Sequence, residues 1–218
     1  MIIALDGPAG AGKSTIALQV AASLGFQLID TGAIYRTVAL KCKEGSFDLH
    51  DGQTCADIAR DLDFSFEIQG DINQVFCNGE PVGDEIRTSE ISLAASTVSA
   101  HQEVRAALLE LQRTLGSAKD SVLEGRDIGT VVFPGAELKI FLTASAEERA
   151  ERRVKQLAEK GIDESYDKVL QEIKERDHKD MTRDIAPLVA APDAVTVDTT
   201  GRSIEDIVAQ IVNLAPVQ

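Results

Sequence analysis

The chain has 218 residues, with 22 Lys and Arg against 36 Asp and Glu, for a formal net charge of −14. So acidic a chain is poorly suited to neutralising a nucleic-acid backbone, which argues against a nucleic-acid partner. A small phosphate ligand stays compatible if the few arginines converge. Apolar residues at 44% and charged residues at 27%, with 4% aromatics and no Trp, describe one globular chain whose core rests on Ala, Val, Ile and Leu.

Ile2–Leu5 predicts a short strand and "DGPAGAGKST" a glycine-rich loop, followed by a helix over "IALQVAASLG" that Gly25 stops. The start of the chain has no basic n-region and no long h-region, so no signal peptide is expected. No apolar run approaches the ~20 residues that cross a bilayer, and a cytoplasmic protein without a membrane partner is the expectation. The loop residues Gly7, Pro8, Ala9, Gly10, Ala11, Gly12, Lys13 and Ser14, with Thr15 behind them, fit G-x-x-x-x-G-K-[ST] between a strand and a helix. Glycines let backbone N–H groups turn toward one point, and a helix N-terminus adds partial positive charge there. Lys13 is placed to reach the β- and γ-phosphates, and the Ser14 hydroxyl to ligate Mg²⁺. The pattern therefore predicts ATP binding as MgATP, with no carboxylate ligand for the metal identifiable.

Phe26–Ile29 reads as a second strand and Ala33–Lys43 as a helix, with Ile34, Val38 and Cys42 on one face and Gly45 at its end. Between about residues 63 and 83 the period changes to two. "FSFEI" and "QVFCN" alternate, and Asn78-Gly79 signals a hairpin, so this stretch predicts a small antiparallel insert. Helices are expected over Glu90–Ser99 and Gln102–Leu115. Ser121–Gly125 and Leu138–Leu142 are short apolar runs suited to buried parallel strands. Ser145 is placed to cap a helix running to Gly161, with Glu148 completing a capping box. A further helix covers Glu164–His178, then "AVTVDT" is a last strand and Ser203–Leu214 a last helix. The cysteines Cys42, Cys55 and Cys77 show no zinc spacing with His50, His101 or His178 and read as reduced thiols. The alternation predicts a parallel sheet flanked by helices.

The loop alone does not say what the nucleotide is for. No guanine-reading Asn-Lys-x-Asp is present. "DTTG" at Asp198–Gly201 has the spacing of a γ-phosphate sensor but follows the last strand, and reads as a strand end and turn. A kinase must hold two anions side by side, so it needs cations at strand ends and helix starts. Arg36, Arg105 and Arg126 lie at such places, Arg126 beside Asp127 just past an apolar strand. Arg176, Asp180 and Arg183 stand at i, i+4 and i+7 and share a face if their helix continues that far. For Arg105, Arg176 and Asp180 a solvated ion pair is the competing reading.

"GPAGAGKST", "DTGAIYR", "GEPVGDEIRT", "LEGRDIGTVVFP" and "IKERDHKDMTR" together resemble bacterial cytidylate kinase, in order, from about Ile2 to Ala209. The resemblance implies a P-loop kinase of three αβα layers with a parallel central sheet. It also implies a three-stranded antiparallel nucleoside-monophosphate-binding insert near residues 63–83, a short helical lid near 146–162 and a core formed by 1–62 and 84–218. It implies transfer of the ATP γ-phosphoryl group to CMP or dCMP. Carried over by position, Arg36 and Arg126 are implied ligands of the acceptor phosphate. Thr31, Arg105 and Asp127 are implied readers of the cytosine edge, and Ser96, Arg176 and Asp180 ribose contacts. Arg183 is implied to lie between base and phosphate. Thr31 stands where the family often has a serine, and it keeps the hydroxyl. Lys13, Arg126 and Arg183 are the expected catalytic residues, and the expected working unit is a monomer. In the lid, Arg149 and Arg153 read either as a clamp on the ATP phosphates or as a solvated charged face.

Overall fold

The computed structural model describes residues 1–159 and 161–216. Residue 160, inside the expected lid span of 146–162, lies outside them, as do 217 and 218. Its central sheet is five-stranded and fully parallel, in the order β2 (Gln27–Asp30), β6 (Ser121–Gly125), β1 (Ile2–Asp6), β7 (Leu138–Thr143), β8 (Val195–Asp198). The inner strands are short apolar runs because both their faces are covered. Period-two alternation sends Ile3 and Leu5 of β1 to one face, with Ile16 and Val20 of α1 (Lys13–Leu24) and Ile207 and Ile211 of α8 (Ile204–Leu214). Ala4 faces the other side with Ile29, Leu123, Ile128 and Val132. Each fully buried Ile or Leu contributes roughly 1.5–3 kcal/mol.

Register matters for function. Leu5 pairs with Glu124 and Asp6 with Gly125, while Asp30 pairs with Glu124. The strand C-termini therefore end level, at the edge where open α/β sheets hold ligands.

The second sheet is antiparallel: β3 (Phe64–Gln69), β4 (Ile72–Cys77) and β5 (Glu80–Val82). Asn78 and Gly79 both take positive φ, 52° and 82°, as a two-residue hairpin turn of the twist-matching kind requires. Phe64, Val75 and Cys77 pack into a core with α2 (Thr31–Glu44), α4 (Ser89–Val98) and α5 (Gln102–Ser117). The helix α3 (Gly52–Arg60) also enters this core through Cys55, Ala56 and Ala59. No helix was expected there, since its buried face holds only small residues and no periodic Leu or Ile. The three cysteines are free and buried.

Helices α6 (Ala146–Glu159) and α7 (Tyr166–Thr182) form a hairpin beside the sheet edge, packed through Ala150, Leu157 and Val169. The last turn of α7 runs past His178, the expected end. It stops at Thr182, so Arg183 is the residue after the helix, with extended backbone, rather than a third member of its face. Among the described residues no helix is long and apolar enough to cross a membrane.

Candidate active site

The phosphate loop is shaped by two glycines in particular. Gly7 has φ 151°, and a Cβ there would lie 2.2 Å from the Leu142 carbonyl oxygen, so no side chain fits. Gly12 caps α1 with φ 86° and offers no side-chain acceptor. The first-turn N–H groups of α1 are thus left for an anion. Lys13 is buried, and its Nζ donates to the Pro8 carbonyl at 2.8 Å. Burial, together with the nearby Arg126, pushes its pKa well below the usual lysine range. Ser14 Oγ donates to Glu124 Oε2 at 2.9 Å.

A cleft of about 290 Å³ opens beside this loop. Of the residues singled out in the sequence, Ala9, Gly10, Lys13, Ser14, Thr31, Arg36, Ser96, Arg105, Arg126, Asp127, Arg176, Asp180 and Arg183 line it. Gly7, Pro8, Ala11, Gly12 and Thr15 do not; they form the loop and its helix start behind the wall. The segment after β2 supplies three groups. Asp30 Oδ1 accepts the Ala33 N–H at 2.8 Å and so caps α2, while Oδ2 accepts from Arg36 at 2.8 Å. Thr31 Oγ1 donates to the Glu124 carbonyl at 2.7 Å, which leaves its lone pairs free to accept.

The arginines crowd together. Arg126 Nε donates to Asp180 at 3.1 Å. Arg105 pairs with Asp127, donates to the Ser99 carbonyl and sits 5.6 Å above the Tyr35 ring. Burial, with Arg126 beside it, lowers the pKa of Arg176 to about 10, and burial with Arg105 nearby lowers that of Arg183. Three of these guanidinium groups hold a buried N–H with no partner: Arg36 Nε, Arg176 Nε and Arg183 Nη2. Buried donors left unpaired around one cavity, in a chain of net charge −14, mark a site built for an anion.

Four features were not foreseen. Glu124 is a buried carboxylate between Ser14, Lys13 and Asp30, and burial with the Asp30 charge raises its pKa to about 7. Glu124 is the penultimate residue of β6 and Asp30 the last of β2, so acids near strand ends were the available signal. Tyr35 supplies the face under Arg105. Arg149, read as a clamp on the ATP phosphates or as a solvated face, is not solvated. It is 4% exposed, forks onto Asp177 at 3.1 and 2.6 Å and donates to the carbonyls of Ala9 and Ala144, so its donors fasten α6 to α7 and to the phosphate loop. Arg153 does line the cleft. "DTTG" is a strand end and turn as read, but Thr199 is also buried against the loop, donating to the Ala11 carbonyl at 3.4 Å.

Hard oxygen ligands fit the region around Ser14: its hydroxyl, Glu124 and Asp30 are all oxygen donors, and the raised Glu124 pKa is relieved by a cation. Among the described residues no group of three or more His, Cys, Asp or Glu could hold a metal ion.

The family model described as cytidylate kinase matches residues 3–217. The chain is 48% identical to the cytidylate kinase of Aliivibrio salmonicida over 96% of this chain and 93% of that one. It is 49% identical to the cytidylate kinase of Actinobacillus succinogenes, covering 96% of both. Among solved structures, a protein of Eubacterium ventriosum superposes with a TM-score of 0.54 at 10% identity, covering 98% of this chain and 97% of that one, a likeness of fold.

Proposed function

The chain belongs to the cytidylate kinase family, and on that premise we propose that it transfers the γ-phosphoryl group of ATP to CMP and dCMP. The observation that carries the acceptor side is the set of buried, unpaired guanidinium N–H groups on arginines that line one cleft with Lys13.

In this reading the amides of the phosphate loop and Lys13 hold the β- and γ-phosphates of ATP. On binding, Lys13 Nζ leaves the Pro8 carbonyl, and the phosphate charge restores its proton affinity. Arg36, Arg126 and Arg183 hold the acceptor phosphate, with Arg176 supplying further positive charge. Thr31 accepts a hydrogen bond from the exocyclic amino group of cytosine. Arg105 and Asp127, already paired and held by Tyr35, meet the base edge as a donor and an acceptor. Ser96, Arg176 and Asp180 contact the ribose in this reading. Ser14 would hold Mg²⁺, with Glu124 and Asp30 as its carboxylate supports. The ion would supply charge neutralisation at the transferred group.

The acceptor phosphate is already an anion near neutral pH, so no residue removes a proton from it. Alignment and neutralisation carry the rate. Lys13, Arg126 and Arg183 are the catalytic residues, since they touch the reacting phosphates. Movement of the α6–α7 hairpin and of α4 toward each other would exclude water, the competing acceptor. The enzyme acts on free nucleotides, as a monomer in the cytoplasm. Calorimetric titration without ATP tests the reading. CMP is expected to bind at least ~10-fold more tightly than UMP, a gap of about 1.4 kcal/mol. Equal affinities would overturn the assignment of the base-reading residues.

A further inference from the structure

Asp6 ends β1, is 5% exposed and does not line the cleft. Its two carboxylate oxygens each accept one backbone N–H, Ile128 to Oδ1 and Gly129 to Oδ2, both at 2.8 Å. These are first-turn amides of the short π-helix Ile128–Val132, which have no partner inside their own helix. The residue at the capping position is Asp127, an amino acid well suited to cap. Yet Asp127 makes no side-chain cap bond, because its carboxylate is turned to Arg105 at the cleft. The capping group comes instead from a residue 122 positions earlier, across the sheet. Burial pushes Asp6 up to about 6 while the two N–H groups oppose the shift, so the buried acid is held at a cost.

We propose that Asp6 is a positioning residue for acceptor selection: it caps the Ile128–Val132 helix in place of Asp127 and leaves the Asp127 carboxylate free for the base-reading pair with Arg105. The inference rests on the cytidylate kinase reading for what that pair recognises. It also ties the two halves of the site together, since Asp6 directly precedes Gly7 and its partner on β6, Gly125, directly precedes Arg126.

Asp6→Asn keeps one acceptor oxygen and turns an NH₂ toward the other amide. Asp127 then has a competing use as the cap. Displacement of one reading group by about 1 Å is enough for a loss of ~10–100-fold in kcat/KM for CMP. The loss with UMP is expected to be smaller, so the CMP-to-UMP ratio narrows by about 10-fold, with the KM for ATP within about threefold of the parent. Placed on Asp127→Asn, the Asp6→Asn change is expected to narrow the ratio no further, since the two act through one group. An unchanged ratio in Asp6→Asn, or losses that multiply in the double variant, would overturn the proposal. Failure of the parent enzyme to prefer CMP would instead overturn the functional reading. A second measurement needs no variant. In the unmodified protein the amide resonances of Ile128 and Gly129 are expected to shift together as pH crosses about 6, reporting Asp6. The charged groups facing Asp6 are Asp127 and Lys13, with Lys139 packed beyond Gly129. Amides that show no joint shift at any pH over which the protein stays folded would count against a carboxylate cap and overturn the proposal, whether or not Asp6→Asn folds.

Discussion

The donor loop offers its groups from one unbroken segment, Gly7–Thr15, and its side chains are paired: Lys13 donates to the Pro8 carbonyl and Ser14 to Glu124. The acceptor side gathers Thr31, Arg36, Ser96, Arg105, Arg126, Asp127, Arg176, Asp180 and Arg183 from α2, α4, α5, the end of β6 and the end of α7. It cannot satisfy itself. Asp30, Asp127 and Asp180 each take up one guanidinium, and three N–H groups remain buried without partners. A local motif can be neutral at rest, whereas a dispersed set of like charges keeps an unmet demand for an anion.

The contrast is broken most severely at Arg126. Arg126→Ala removes a cation from the transferring group, and kcat is expected to fall by on the order of 10³–10⁵ while ATP affinity, measured by titration, changes only severalfold. If kcat and ATP affinity fell together, the two sides would not be separable. Next in size is the bolt between them. Arg149→Ala leaves the half-buried Asp177 carboxylate without its partner and empties a buried site, and is expected to cost about 3 kcal/mol in denaturant unfolding. A loss below about 1 kcal/mol would restore the solvated-face reading of α6.

Glu124 gives a pH signature. Its carboxyl rises from an ordinary 4.5 to about 7 in the folded, ligand-free protein. Between those values the folded state keeps a proton that the unfolded chain has lost. The stabilisation from this group is therefore complete below about pH 4.5 and is lost as pH climbs through 7, a change of about 3 kcal/mol. Glu124→Gln is expected to remove that decline and to raise Tm at pH 8, at the expense of Mg²⁺-dependent binding. An unchanged stability profile would remove Glu124 from the strained set. Smallest is Thr31→Val, which keeps the shape and deletes the hydroxyl. It is expected to cost about 1–2 kcal/mol in kcat/KM for CMP and nothing measurable in the KM for ATP.

How far the sequence disclosed this follows from the same contrast. The loop was legible because strand, glycines, Lys13 and Ser14 are contiguous and their spacing carries the mechanism. The hairpin at Asn78-Gly79 was legible for the same reason. Helix α3 was not, since it is short and its buried face, Cys55, Ala56 and Ala59, is made of small side chains. Arg183 looked like part of a helical face, but the backbone leaves the helix at that residue and aims it by the turn that follows. Asp6 and Glu124 were passed over because an acid at a strand end has no meaning until register sets it beside a helix start or a hydroxyl from elsewhere in the chain. The arginines themselves were found by their placement at strand ends and helix starts and by the resemblance of "DTGAIYR", "LEGRDIGT" and "IKERDHKDMTR". What the residues alone could not supply was their convergence.

The central claim, that the dispersed acceptor side and not the phosphate loop sets what is phosphorylated, is tested most directly by steady-state kinetics with MgATP and a panel of acceptors. CMP and dCMP are expected to exceed UMP, AMP and shikimate in kcat/KM by at least ~100-fold, about 2.7 kcal/mol of discrimination at the base and phosphate contacts. AMP or shikimate outperforming CMP and dCMP would contradict it.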